Sequence, residues 1–497
     1  MEEGGFWYLE CMNRAGRLFP FFCAAELLLG PLARGSVGAQ STAPLAPLRP
    51  LAYTRFTLPN GLVAILNEDH ATPIVSVQVW YHVGSKDDDP GRPGLVHLCE
   101  HLSSQGSPHL SQPQQAFYRS LGGTSGGQTT EDVTKFFITV PSNELETVLW
   151  TESDRMAAPL ALADSQRVAA VGRLVEQERR QNVDNVPFGV YRELIPGSLF
   201  PDGHPYHLEP LSQNAASATV TPAALRAKCA PYYTPNNAVL AISGDFDTPA
   251  ARSLVEKYFA AISNGPLVTR ADLNVEAPTP RAERRLVLED ARANQTRLHI
   301  AWRGASYGSP DRMAALALAS VLSLPRFGRL SKLLVHDRQL ASSVTADNHD
   351  FEKSGVFEIV VVPNAGASMT AIEELVDSTI ASLETTTPAT SEEIERFNAF
   401  NGVNASTSLQ LHVARADTLA HDEVFTGNPS SYASQNNAAL ALTSADVQAV
   451  ARRYLTQARV VMSLVPGGKL ELISKPNAPY TNVTRPPGSA GPAAARP

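Results

Sequence analysis

The chain has 497 residues, an apolar fraction of 43% and a formal net charge of −8. That length suits two domains of about two hundred residues each, and the apolar content is ordinary for a globular protein. The acidic balance, with no basic stripe interleaved with aromatics, argues against a nucleic-acid surface.

Met1 to Cys11 is an acidic lead. A basic patch from Met12 to Arg17, an apolar run from Leu18 to Ala33 and the small residues Val37-Gly38-Ala39 follow. That order predicts an export signal over 1–40, with Met12 as an alternative start. Glu26 interrupts the apolar run, which is too short for a membrane span. A mitochondrial presequence is the alternative. The Pro-rich stretch 41–52 reads as a linker. Phe56 to Leu58, Val63 to Leu66 and Val75 to Val83 alternate or are rich in β-branched residues, and predict strands.

His97-Leu98-Cys99-Glu100-His101 reads H-x-x-E-H. On a helix, residues four apart lie one turn above each other, so both imidazoles can reach one cation. Glu100 shares that face, where a carboxylate can take a proton from water at the metal. Two nitrogen ligands, a base and room for water are what a zinc peptidase needs. The alternative is a surface helix with two solvated histidines.

Gly122 to Thr129 is a glycine-rich stretch, and Lys135 to Val140 reads as a strand. Leu145 to Ala157 reads as a helix, as does Ser165 to Asn182. On the latter, Val168, Val171, Leu174 and Val175 form an apolar stripe that ends in Glu178. A buried carboxylate needs a partner, either a metal, as the third ligand, or an arginine. Arg179 and Arg180 lead toward solvent. Pro222 to Tyr233 and Ala250 to Ile262 read as further helices.

The chain is duplicated. Thr221 and Thr443 each open a threonine-capped helix, Tyr232 and Tyr454 follow, and an apolar strand comes next. Trp80 maps onto Trp302, all at an offset of 222 residues. Two halves, 53–262 and 283–474, are joined by a Pro-containing linker at 263–282. Moving the metal motif by the same offset lands on Ala319 to Ser323, which has no imidazole or carboxylate. Only the first half can hold the ion. The tail 475–497, rich in Pro, Gly and Ala, reads as disordered.

H-x-x-E-H is the inverted form of H-E-x-x-H and marks the inverzincins. Gly94 to Leu102 resembles the GLAHLxEHL signature of the pitrilysin, insulin-degrading enzyme and mitochondrial processing peptidase family. Leu174 to Gln181, Asp184-Asn185 and Pro187 to Gly189 resemble its VVxxERRQ…DNxPYG segment, and Tyr232 to Ala238 its YYxPNNA segment. The resemblance runs from about Thr54 to about Gly467, on the bacterial processing-peptidase-like branch. It implies an α+β fold of two homologous halves, each a mostly antiparallel sheet covered by helices, facing each other across a chamber. It implies one zinc ion held by His97, His101 and Glu178, with Glu100 as the base. It also implies a substrate-binding loop, G-G-x-x-N-A-x-T, here with Gly122, Gly123, Gly126 and Gly127.

The sequence departs from that pattern at three places. Val171 stands where a supporting glutamate is common. Gly126 stands for asparagine. Ser342 follows Gln339-Leu340-Ala341 where a tyrosine helps polarise the scissile carbonyl. The resemblance therefore implies a zinc metalloendopeptidase acting on peptides or unfolded segments, with Lys135 to Val140 as the edge that receives substrate. The alternative is a weakly active or non-catalytic subunit, working as a homodimer or with a related partner. Cys99 is read as packing; a bond to Cys229 is open but not demanded. His204 and His207 in GHPYH make a poor ligand pair and are read as positioning residues.

Overall fold

The computed structural model describes residues 46–89, 91–212, 220–268 and 282–483. The expected export signal and positions 269–281 of the expected linker lie outside the described residues.

In the first half, β1 (Thr54–Thr57), β2 (Val63–Glu68), β3 (Ile74–Tyr81), β4 (Thr124–Thr129), β5 (Thr134–Pro141) and β6 (Ala238–Gly244) form one sheet. Their order is β1-β2-β6-β3-β5-β4. The β2–β6 pair is parallel and the others are antiparallel. In the second half, β7 (Arg284–Asp290), β8 (Arg297–Arg303), β9 (Ala341–Asp350), β10 (Gly355–Pro363), β11 (Val460–Pro466) and β12 (Thr481–Val483) run in the order β12-β7-β11-β8-β10-β9. An offset of 222 carries Ala238–Gly244 onto Val460–Pro466 end to end. The α+β fold of two similar halves, each a mostly antiparallel sheet covered by helices, stands.

The helices of the first half are α1 (Leu95–Ser103), α2 (Gln114–Ser120), α3 (Leu145–Ala157), α4 (Ser165–Arg179), α5 (Tyr191–Leu199), α6 (Pro222–Cys229) and α7 (Thr248–Phe259). Those of the second are α8 (Arg312–Ser323), α9 (Met369–Thr385), α10 (Ser391–Ser408), α11 (His412–Thr426), α12 (Ser431–Ala439) and α13 (Ser444–Tyr454). The halves exchange helices. On the first sheet, Ile65, Trp80, Val239 and Ala241 pack against Ala416, Leu419 and Ala420 of α11. On the second, Leu288, Ala301 and Met462 pack against Ile195 and Leu199 of α5. Each sheet is thus buried on its own side by its own helices and on the other by its neighbour's. That explains why all of β6, and all of β3 except Ile74, is buried, the polar Ser76 and Gln78 included.

The expected elements hold with shifted ends. Asp247 accepts from the Ala250 N–H and starts α7 two residues early. Several placements change. Lys135 to Val140 lies inside β5, which is paired on both sides, so it is not the edge; the glycine-rich stretch is not a loop but the edge strand β4. Leu174, assigned to the apolar stripe, is 48% exposed. The tail expected to be disordered from Lys475 is part of the fold as far as Val483, because β12 adds to β7 in parallel register; the remainder lies outside the described residues. The described part of the expected linker at 41–52 is pinned to the second half. There Leu48 N–H donates to Asn437 at 2.7 Å and Leu51 N–H to Tyr432 at 2.6 Å.

Candidate metal centre

Helix α1 begins after Gly94, which takes a left-handed turn at φ 82°. The cap comes from Asp88, whose carboxylate accepts from the Gly94 N–H at 2.7 Å and the Val96 N–H at 2.9 Å. Burial pushes the Asp88 carboxyl up to about 7, against those two amide bonds. Leu95, Leu98, Cys99 and Leu102 turn into the core, leaving His97, Glu100 and His101 on the opposite side of the helix.

Helix α4 is capped by Asp164, which accepts from the Arg167 N–H at 2.8 Å. Val168, Val171 and Val175 are buried and seat it against the core. This brings Glu178 to α1. Its Oε2 lies 3.1 Å from His101 Nε2 and 3.6 Å from His97 Nε2, and the two imidazole nitrogens are 3.1 Å apart. Arg179 does not partner Glu178 and does not reach solvent. It is buried, donating to Glu193 and to the Leu211 carbonyl, with Asp184 at 3.6 Å. Arg179 follows Val175 by four residues, so it continues the buried face of Val168, Val171 and Val175; a wider π-helical turn at Arg180–Asp184 comes after it. Arg180 is exposed and pairs with Glu176.

The three donor atoms form a triangle with sides of 3.1, 3.1 and 3.6 Å. Ligands on a tetrahedral zinc ion, with bonds of about 2.1 Å, lie about 3.4 Å apart. Two imidazole nitrogens and a carboxylate oxygen at these separations could hold one shared cation, and the donor set fits zinc. Among the described residues this is the group of three able to hold a metal ion. Burial lowers the pKa of His97, only partly offset by Glu100 and Glu178, which favours the neutral imidazole that binds metal. His101 is held above its ordinary value: burial lowers it, and its hydrogen bond to Glu178 together with the charges of Glu100 and Glu178 outweighs that. Glu178 is lowered; burial opposes ionisation, and His101 and His97 overcome it. Among the described residues the buried His97 Nδ1 has no hydrogen-bond partner, and the position two turns before Glu178 on α4 is the apolar, buried Val171.

Glu100 stands beside the triangle, with Oε2 3.9 Å from His97 Nε2 and only 5% of the residue exposed. The edge strand β4 runs along it. A Cβ on Gly127 would come within 2.5 Å of Glu100 Oε1, so glycine makes the room for this carboxylate. Thr129, two residues on, donates to Glu100 Oε2 at 2.9 Å. A Cβ on Gly126 would fall 2.5 Å from the Phe137 ring, so the asparagine of the resembling motif has no space here. Gly122 turns at φ +77°, and Gly123 lies against Val140 and the Thr139 carbonyl, both before β4 begins.

Residues 63–196 match the family described as Insulinase (Peptidase family M16), and residues 219–398 match the Peptidase M16 inactive domain. The chain belongs to the M16 peptidase family. It is 25% identical over 327 residues to a protein named zinc protease PqqE from Helicobacter pylori, covering 64% of this chain and 71% of that one. It is 22% identical over 424 residues to the probable mitochondrial-processing peptidase subunit beta of Schizosaccharomyces pombe, covering 82% and 90%. The fold matches the crystal structure of a protease from Helicobacter pylori with a TM-score of 0.78 at 21% identity, over 84% of this chain and all of that one.

Other features of this M16 chain were not read from the sequence. Cys99, taken as simple packing, is disulfide-bonded to Cys229 on α6, because α6 packs against α1 and the two thiols face each other in the core. Two cysteines left over once the leader is set aside were the signal. Thr129 lay inside the glycine motif, but only the strand's alternation shows that it shares a face with Gly127. A polar cluster joins the halves: Asp132 accepts from Lys86 at 2.9 Å, from Tyr206 at 2.7 Å and from the Glu352 N–H at 2.9 Å. Glu352 in turn bonds Lys86 at 3.1 Å and His82 at 2.7 Å. Among the described residues His204 and His207 make no metal group. His204 Nδ1 accepts from the Tyr206 N–H at 3.1 Å, and His207 Nδ1 bonds the Phe200 carbonyl at 2.9 Å. Burial pushes His204 down to about 4. Ser342 is exposed at the start of β9 and donates to the Val362 carbonyl at 3.2 Å. Among the described residues no helix is long and apolar enough to cross a membrane.

Proposed function

We propose that this M16 protein is a zinc metalloendopeptidase that hydrolyses peptide bonds in peptides or unfolded segments, with His97, His101 and Glu178 holding one zinc ion. The observation that carries the reading is the triangle of 3.1, 3.1 and 3.6 Å, with Glu100 just outside it. Zinc, when bound, polarises the scissile carbonyl and makes water more acidic. Glu100 takes the proton of the attacking water and returns it to the leaving amine. The free edge of β4 offers main-chain donors and acceptors to an extended substrate, which favours loose sequence preference. Residues 53–262 carry the metal and residues 283–474 complete the fold around it.

A second reading is a weakly active or non-catalytic subunit that works with a related partner. Ser342 supports it: its hydroxyl is spent on Val362, and it offers nothing of a tyrosine's reach. The relative named as a processing-peptidase subunit is in keeping with this. Export to the periplasm or outside the cell fits the buried Cys99–Cys229 bond, with a mitochondrial location as the alternative. Metal analysis, native mass and cleavage of an unstructured peptide mixture, made on the same sample, test both readings. One zinc per chain with cleavage supports the first. Zinc without cleavage until a related subunit is added supports the second, and a protein that takes up no zinc sinks the first and leaves a non-catalytic subunit.

A further inference from the structure

We infer that Thr129 is a positioning residue for Glu100, a role that rests on the peptidase reading. A count of hydroxyl protons carries it. Thr134, fully buried, donates its one hydroxyl proton to the Val83 carbonyl at 2.9 Å. A carbonyl can only accept, so that proton is committed. Thr129 Oγ1 lies 3.3 Å from Thr134 Oγ1 and 2.9 Å from Glu100 Oε2. The shorter contact ends on a carboxylate, and charge-assisted bonds are the stronger ones. The Thr129 proton therefore goes to Glu100, and Thr134 stands behind it as a fixed neighbour.

The strand supplies both restraints on Glu100. Thr129 and Gly127 alternate onto the same face of β4. Gly127 leaves space for Oε1, and Thr129 holds Oε2. The carboxylate is thereby fixed in rotation, 3.9 Å from His97 Nε2. Oε2 keeps its second lone pair for the reacting proton. The hairpin register sets this geometry, because Thr129 pairs directly with Thr134 across β4 and β5. A base held at the right angle contributes through orientation, which appears in kcat and not in substrate binding.

The test uses the full-length zinc-loaded protein and a quenched peptide that the wild type cleaves. Thr129→Val keeps the shape and removes the hydroxyl. It should keep one zinc per chain, leave KM within about twofold and lower kcat by about 10- to 100-fold, the loss of one charged hydrogen bond. Thr129→Ser should restore most of that rate. Thr134→Val is the structural control. It strands the Val83 carbonyl and lowers the unfolding temperature, but leaves Thr129 donating to Glu100, so kcat should stay within about threefold. Wild-type kcat in Thr129→Val overturns the inference, as does an equal kcat loss in the two valine variants. If Thr129→Val does not fold, Thr129→Ala takes its place: a kcat loss that Thr129→Ser reverses supports the inference, and wild-type kcat in Thr129→Ala overturns it. A zinc-loaded wild type that cleaves nothing, or a Glu100→Gln protein that cleaves normally, overturns the peptidase reading and this inference with it.

Discussion

Cys99, one residue before Glu100, is bonded to Cys229 on α6, closing a loop with a sequence separation of 130. Both residues are buried in the core on which α1 rests. The nine-residue helix that carries two imidazoles and the base is thus held covalently as well as by packing. A native crosslink over so long a loop contributes about 2–5 kcal/mol, mainly by restricting the unfolded chain. Alkylation and mass analysis of the folded protein should find neither thiol free. A Cys99→Ala/Cys229→Ala pair should unfold at lower denaturant by that amount. Quantitative labelling of Cys99 in unreduced, unfolded protein contradicts the bond.

Replacing His101 by alanine removes one corner of the triangle and leaves His97 and Glu178 3.6 Å apart. Two protein ligands are too few for a tight catalytic zinc site. His101→Ala should lose nearly all its zinc on dialysis while the wild type keeps one equivalent. Full retention by the variant would show that the ion, if bound, sits elsewhere.

Glu100→Gln keeps size and polarity but cannot accept the proton. Because Glu100 lies outside the triangle, the variant should retain zinc. Its amide oxygen can still accept from Thr129, so the side chain should stay in place. Peptide cleavage should fall by at least about a hundredfold, the range of a positioned general base. Metal loss from Glu100→Gln would instead make Glu100 a ligand.

Much of this site was legible because helical spacing is rigid. His97, Glu100 and His101 had to share a face once α1 was a helix, and the stripe on α4 pointed Glu178 inward even though Leu174 proved exposed. Strand pairing was less legible, because neither β4 nor β5 states in sequence which one is the edge. The glycines of β4 read as a loop; only their neighbours, Glu100 beside Gly127 and the Phe137 ring beside Gly126, show why a strand there needs no side chains. Arg179 shares the helical face of Val175, four residues before it, but the partners that satisfy it there, Glu193 and the Leu211 carbonyl, are 14 and 32 residues away and no local pattern names them.

The helix exchange revises what a truncated chain should do. From the duplication alone, a first half ending near Ala282 would be expected to bind zinc and cleave poorly. The fold shows that Trp80, Ile65 and Ala241 are covered by Ala416, Leu419 and Ala420 of α11. Removing the second half bares that face, and a large exposed apolar surface drives aggregation. The isolated first half should be insoluble or bind a hydrophobic dye strongly. Co-expression with residues 283–483 should recover soluble, zinc-binding protein. A monomeric, cooperatively folding first half would show that the exchange is dispensable.

The acid limb of stability should be steepened by Glu373, which is fully buried on α9. It pairs with Arg285 at 2.6 Å, Lys475 at 2.7 Å and Arg459 at 3.3 Å. Burial alone would raise its pKa, but these cations and the Ser474 hydroxyl outweigh burial and hold it down at about 2, against an ordinary 4.5. The folded state therefore binds fewer protons than the unfolded state between those values. Stability from this group is complete above pH 4.5 and is lost as pH falls toward 2, with a slope of up to about 1.4 kcal/mol per pH unit for one proton. Glu373→Gln should be less stable at neutral pH, because three cations are left around a neutral amide. Its stability should also fall less steeply between pH 4.5 and 2, by up to one proton's worth of slope. Chemical denaturation of both proteins across that range measures the difference, and parallel acid limbs would show that Glu373 does not titrate there.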